Sequence, residues 1–254
     1  MKITNLIKAS ILATTMTAGA AQADMIYGLY FGAQGWQTGA DGTFGNDGSS
    51  NNVTFDFEDK TSTSFYAAVE HPIPLIPNIK VRQNNIEIDG NISGQFTFGG
   101  NTYVQSSKTT ADLTNTDFII YYEILDNDLI SIDIGLNGKK IDGSIMVHDT
   151  SSANSEPSTT EEFSGIVPMA YAAAEIGLPF TGLSIYADGS FVGYDGNSLT
   201  DIQAGVQYAF IDNLAVDMSL QLGVRSFALK LNDLDNIDTD IDVNGGYLGL
   251  QVHF

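Results

Sequence analysis

Hydrophobic and polar residues alternate along most of the chain. Val216, Met218, Leu220, Leu222 and Val224 fall on one face, while Asp217, Ser219, Gln221, Gly223 and Arg225 fall on the other. That is a period of two, the period of a β-strand, whereas a helix would scatter the same apolar residues around its circumference. Ile202, Ala204, Val206, Tyr208 and Phe210 repeat the pattern, as do Ile130, Ile132, Ile134 and Leu136, and again Leu248, Leu250, Val252 and Phe254. Strands are expected at 25–37, 61–71, 78–90, 109–125, 129–147, 162–177, 182–194, 200–210, 214–230 and 238–254.

Two architectures use such strands. A soluble sandwich turns the apolar face to a core, and a transmembrane barrel turns it to lipid and lines its interior with small or polar residues. The barrel is the better account. Most of the segments are longer than the five or six residues usual in soluble strands and reach the 9 to 11 or so that cross the hydrocarbon layer. Trp36, Phe65, Phe118, Phe210 and Phe254 lie near strand ends, as an interfacial aromatic girdle requires, and interfacial anchoring is expected for most of the tyrosines too. Compact turns at 71–77, 126–128, 178–181 and 211–213 alternate with longer polar segments at 38–60, 91–108, 148–161, 195–199 and 231–237. The expected fold is therefore all-β: a closed antiparallel transmembrane β-barrel of ten strands over residues 24–254, both termini periplasmic and the longer segments outward. Weaker face definition in 78–90 and 162–177 leaves eight or twelve strands as alternatives.

The first 23 residues read differently. Lys2 and Lys8, a mostly apolar stretch from Ala9 to Ala21, and Ala21-Gln22-Ala23 before Asp24 form the pattern of a secretory signal peptide. Export and a barrel together place the protein in the outer membrane of a Gram-negative bacterium. The chain has no cysteine, which excludes a disulfide scaffold, a thiol nucleophile and thiolate metal sites. With 31 acidic against 10 basic residues and a formal charge of -21, it offers no electrostatic footprint for nucleic acid.

Tyr27-Gly28, Pro74-Leu75-Ile76-Pro77-Asn78 and Gly245-Gly246-Tyr247-Leu248-Gly249 resemble a small family of gammaproteobacterial outer-membrane β-barrel proteins of uncharacterised function. The resemblance spans essentially the whole chain and implies the barrel, without catalytic residues to carry over. The terminal Phe254, after alternating apolar residues, resembles the signal recognised by the barrel assembly machinery, which is thus an expected partner alongside outer-membrane lipid and lipopolysaccharide.

The expected lumen-lining residues are Glu70, Glu87, Asp117, Glu123, Asp133, Asp188, Asp201, Asp217, Gln221 and Arg225. Acids buried in that number need partners or water. A polar lumen of this kind suggests a narrow channel for small cations or polar solutes, and a plugged structural or surface-binding barrel without transport is the alternative. An outer-membrane hydrolase at the rim would draw on His148-Asp149, yet adjacency in sequence does not make a base and its orienting partner, so the chain is read as a non-enzyme. The acidic run 231–242 reads as a solvated rim, without the spacing of a calcium loop. No cofactor and no metal site are expected, and the barrel is expected to be monomeric.

Overall fold

The computed structural model describes residues 27–46, 53–92, 96–98, 100–103, 107–127, 129–149, 158–213, 215–234 and 237–254. The expected signal peptide lies outside the described residues. The strands are β1 (Gly28–Asn46), β2 (Val53–Phe57), β3 (Lys60–Glu70), β4 (Asn78–Asn85), β5 (Glu87–Ile92), β6 (Phe96–Phe98), β7 (Asn101–Tyr103), β8 (Ser107–Asp112), β9 (Asn115–Asp126), β10 (Ile130–Asp149), β11 (Ser158–Leu178), β12 (Leu183–Tyr194), β13 (Asn197–Asn213), β14 (Val216–Leu234) and β15 (Ile237–His253). Three pairs of these, β2 with β3, β4 with β5 and β8 with β9, are successive parts of single long staves. So counted, ten antiparallel staves form a closed barrel, and β6 and β7 make a separate hairpin.

Closure is made by β15 and β1, which pair from Tyr30↔His253 to Asn46↔Ile237. Phe254 adds the last rung: Leu29 donates to its carbonyl at 3.1 Å and its N–H donates to Leu29 at 2.9 Å. Around the rungs nearest the chain termini the ring of pairings is then continuous among the described residues, which hydrocarbon requires because it offers no hydrogen bonds. The ends of the barrel differ. One, called here the terminal end, carries Gly28, His253 and the compact turns, and the other is the loop end.

The polarity of the two faces inverts partway along the staves. Near the terminal end the outer face is apolar: Phe65, Val81, Phe118, Leu136, Val224 and Leu248 are each between 37% and 64% exposed. Their alternating neighbours Arg82, Asp117, Asn137, Arg225 and Gln221 are buried inside. Towards the loop end the same alternation continues with the chemistry exchanged. Asp41, Glu87, Lys140, Asp142, Glu162 and Asp242 are now outside, while Ile86, Ile88, Leu113, Phe227, Ile241 and Val243 are buried within. The first half is built for lipid and the second for water.

This inversion corrects three expectations. Much of 38–60, 91–108 and 231–237 is strand, because a stave protruding into water is polar outside and easily read as loop. Glu87 does not line the lumen: β4 and β5 keep even-numbered residues inward through Ile86, so Ile88 is buried and Glu87 faces out. Trp36, taken for a girdle residue, is 1% exposed in the interior. Phe65, Phe118 and Phe210 do stand on the outer face. The expected loop 195–199 shrinks to a two-residue turn, in which Asp195 (φ 50) and Gly196 (φ 83) both take the left-handed conformation that matches strand twist.

Glu87 instead joins an outer cluster on the protruding half. The Lys60 ammonium donates to Glu87 and to Asp89 Oδ2 (2.8 Å), and Thr110 donates to Asp89 Oδ1 (2.8 Å). The hydrogen bond from Lys60 holds the Asp89 carboxyl below its usual range, and the bonds to Asp89 and Glu87 raise the Lys60 ammonium above its own. The Asp89 contribution to stability is therefore present above the unfolded carboxylate pKa of about 3.9 and lost as pH falls through the lowered folded value. The Lys60 contribution is present below about pH 10.4 and lost as pH rises through its raised value. Because the groups are partly solvated, Lys60→Met should cost no more than about 1 kcal/mol at pH 7. In urea titrations it should also flatten the acid-side loss of stability seen in the parent.

Candidate functional site

The lumen has three levels, set by which residue types occupy the inward positions. At the terminal end it is a vestibule with a cavity of about 270 Å³. Its wall includes Glu70, Glu123, Asp126, Asp133 and Glu175, with Tyr30, Tyr66, Tyr121 and Tyr171. Tyr121 donates to Glu70 (2.6 Å), Asn78 to Glu123 (3.1 Å) and Gln207 to Glu175 (2.7 Å). The rings are accommodated by glycine: a Cβ at Gly32 would lie 2.0 Å from Tyr66, and one at Gly223 2.6 Å from Tyr247 Oη.

Above the vestibule lies a layer of ion pairs. Arg225 grips Asp201 with two donors, Nε at 2.9 Å and Nη2 at 2.8 Å, and donates also to Ser64 (2.8 Å) and Asn84 (2.9 Å). Lys139 sits between Asp201 (2.8 Å) and Asp117 (2.7 Å) and reaches Asn115 at 2.9 Å. Asn84 and Asn137 donate to the two oxygens of Asp117 at 2.9 and 2.6 Å. Arg82 holds Asp188 at 2.5 Å, with Gln203 on its other oxygen at 2.5 Å and Lys80 at 3.8 Å. Lys139 and Arg225 are buried at 0% and 3% exposure, and their charge is tolerated because carboxylates pair with both and further acceptors meet their N–H groups.

The third level is apolar. Trp36, Ile86, Ile88, Leu113, Met169, Phe227 and Val243 form one cluster, each no more than 2% exposed, with Ile141, Phe163 and Leu229 packed against it. Trp36 joins this core to the layer below, since the Arg225 guanidinium lies 5.1 Å from its ring centroid. Phe227 faces Lys139 at 5.8 Å in the same way. At the loop end the β6–β7 hairpin packs against β10 and β11. Phe98 and Tyr103 pack on Val147, and Tyr103 Oη donates to Thr159 at 2.7 Å.

Among the residues expected in the lumen, Glu70, Glu123 and Asp133 line the vestibule. Asp117, Asp188, Asp201 and Arg225 form the ion-pair layer. Gln221 spans the vestibule, accepting from Gln34 (3.2 Å) and donating to Gln207 (3.3 Å). Asp217 stands at the terminal mouth, 3.2 Å from His253 Nδ1, whose ring stacks on Tyr30 at 4.2 Å. Glu87 is outside, as described. Lys80, Arg82 and Lys139 were missed, and so were Asn84, Asn115 and Asn137, which hydrogen-bond within the same layer. Strict parity would have found them, since 78, 80, 82 and 84 share one face, as do 133, 137 and 139. Tyr30, Tyr66, Tyr121, Tyr171, Tyr186 and Tyr247 also turn inward, a correction to their reading as interfacial anchors: the first five line the vestibule, and Tyr247 packs in the core.

Among the described residues no group of three or more His, Asp or Glu side chains is arranged to hold a metal ion. His148 lies towards the loop end, whereas His71 and His253 are at the terminal end.

No protein-family model matches the chain, and no curated protein does. Among solved structures it is similar to the transport unit of the autotransporter AIDA-I from Escherichia coli, at 8% identity over 92% of this chain and 96% of that one, TM-score 0.44. It is likewise similar to the translocator domain of autotransporter NalP from Neisseria meningitidis, at 12% identity over 96% and 97%, TM-score 0.44. A third is Ail, the attachment invasion locus protein of Yersinia pestis, in complex with the heparin analogue sucrose octasulfate, at 10% identity over 89% and 99%, TM-score 0.35. The assignment of this chain as a transmembrane-type β-barrel rests on its own closed pairings and on its bare apolar outer band.

Proposed function

We propose that the protein is an integral outer-membrane barrel of a Gram-negative bacterium, closed to through-passage, with a structural or surface-binding role. In this reading the termini and the vestibule are periplasmic, and the protruding water-facing half with its hairpin stands at the cell surface among lipopolysaccharide. The barrel assembly machinery would insert it, with Phe254 in the closing rung as the recognised residue. The chain's likeness to the gammaproteobacterial family named above belongs to the same reading.

The observation that carries the proposal is the apolar core inside the protruding half. Side chains at 0–2% exposure leave no room for a water molecule beside them, and dispersion contacts hold such a core as in a soluble domain. The alternative, a narrow channel for small cations, draws on the acids of the vestibule. Those acids stop below a layer in which Arg82, Lys139 and Arg225 neutralise Asp188, Asp117 and Asp201, so excess negative charge does not extend along the lumen.

The test is single-channel recording of the refolded protein in planar bilayers under a salt gradient. Silence is expected in a preparation shown to be folded by heat-modifiable gel migration. Discrete, reproducible cation-selective steps would overturn the proposal.

A further inference from the structure

We infer that the free loop-end edge of β11 is a docking site for an extended cationic peptide strand, basic on one face and apolar on the other. The inference deepens the surface-binding reading above and rests on it for the side of the membrane that the edge faces. β11 runs from Ser158 to Leu178, yet it pairs with β12 only from Ala170↔Phe191 to Leu178↔Leu183. β12 ends at Tyr194, in the tight turn to β13. Residues 158–169 therefore have β10 on one side and, among the described residues, no strand on the other.

The backbone groups along that side can be named. Gly177 donates its N–H to the Leu129 carbonyl at 2.9 Å, and the β10–β11 register runs without a shift from Ile130↔Ile176 to His148↔Ser158. Odd-numbered residues of β11 thus turn their amides to β10, and Thr160, Glu162, Ser164 and Ile166 turn theirs to the free side. Pro168 is the next residue in that series. It carries no N–H, so the donor nearest the apolar band is removed, while the edge beyond it keeps its donors and acceptors. An edge of this kind takes up an extended peptide as an added strand.

Two features specify the peptide. On the inner side the core is incompletely covered at this edge: Phe163, Val167 and Val192 pack on the apolar cluster but are only partly buried, and a Cβ at Gly165 would meet nothing within 4 Å. Apolar residues of an added strand would cover them. On the outer side Glu162 lines, with Asp112 and Asp142, a hollow of about 560 Å³. Lys140 answers Asp142 at 2.7 Å, whereas Glu162 and the neighbouring Glu161 stand exposed. Basic residues at alternate positions of the peptide complement that face. A second copy of the chain would instead bring the same acids and a formal charge of -21 to the contact.

The experiment is isothermal titration of the refolded full chain in detergent micelles with a capped heptapeptide of alternating lysine and valine. Saturable binding is expected. Two N-methylated versions carry the same charge: one lacks the lysine N–H groups, which face β11 in an antiparallel strand, and the other the valine N–H groups, which face it in a parallel one. One version should bind about tenfold or more weakly than the parent peptide, and the other within about twofold of it. Ser164→Pro removes an edge N–H and leaves the β10 ladder whole, so it should weaken the parent peptide by about fivefold or more. Heat-modifiable migration checks folding, and if Ser164→Pro does not fold, Glu162→Lys decides the matter with a similar loss. Absence of saturable binding, equal affinity for the two methylated versions, or unchanged affinity in the folded variant would overturn the inference. A dimer of the peptide-free protein in sedimentation, dissolved by Ser164→Pro, would assign the edge to a second copy and overturn it too. Channel steps in the bilayer test together with peptide binding would sink the closed-lumen reading alone, and silence without peptide binding would sink this inference alone.

Discussion

Replacing Asp201 with alanine is expected to lower the unfolding free energy by about 3–5 kcal/mol, the usual cost of removing one partner from a buried ion pair. Asp201 accepts from both Lys139 and Arg225, which are buried with it. Its loss leaves Lys139 with Asp117 and the neutral Asn115 oxygen, and Arg225 with neutral oxygens from Ser64 and Asn84. The effect should appear as a lower urea midpoint for loss of the heat-modifiable band. Replacing all four charges together, with Asp117→Leu, Lys139→Met, Asp201→Leu and Arg225→Met, should cost less than Asp201→Ala, since no orphaned charge then remains among these pairs. A single variant within about 1 kcal/mol of the parent would show that the layer is solvated and that its pairs resemble exposed ones. Conductance should stay silent in the single variant, because the apolar core above is untouched.

The second large effect separates two adjacent residues. Ile88→Asp should destabilise the barrel by several kcal/mol, since Ile88 is 0% exposed and a carboxylate there would be buried among Ile86, Leu113 and their neighbours without a partner. Glu87→Ala should change stability by no more than about 1 kcal/mol, because Glu87 is half exposed and Lys60 keeps Asp89. The absence of native cysteine provides a cleaner readout. With an impermeant maleimide, Glu87→Cys should label in the folded protein and Ile88→Cys should not. Labelling of the Ile88→Cys variant as fast as the Glu87→Cys variant would mean that the protruding half is open to water, and the closed-barrel reading would fail with it.

These two residues also mark where sequence reasoning stops. Period-two alternation is a local property, and it identified the staves around Val216–Val224 and Ile202–Phe210 without ambiguity. The ten staves follow from it together with the turn chemistry, and Asp188, Asp201 and Arg225 followed from parity within their own strands. Glu87 went wrong because alternation tells which residues share a face and not which face looks inward. An apolar face means outside in hydrocarbon and inside in water. A stave that crosses from one solvent to the other keeps its parity and exchanges its meaning, and nothing local to Ile86-Glu87-Ile88 says on which side of that boundary it lies. Trp36 was misplaced for the same reason.

The sequence by itself determined the strand period and the assignment of most charged residues to one face or the other, because each depends on neighbours two residues apart, and it pointed to ten staves while leaving eight or twelve open. Only the tertiary structure decided how those faces meet. The triad of Lys139, Asp201 and Arg225 joins three staves, and the pair of Arg82 and Asp188 lies 106 positions apart in the chain. Such contacts depend on register around a closed ring, where one residue of slip would turn every partner to the opposite face. Closure therefore turns an acidic chain into a barrel whose middle is neutralised, whose protruding half has a core of its own, and whose remaining inward acids gather in the vestibule at the terminal end.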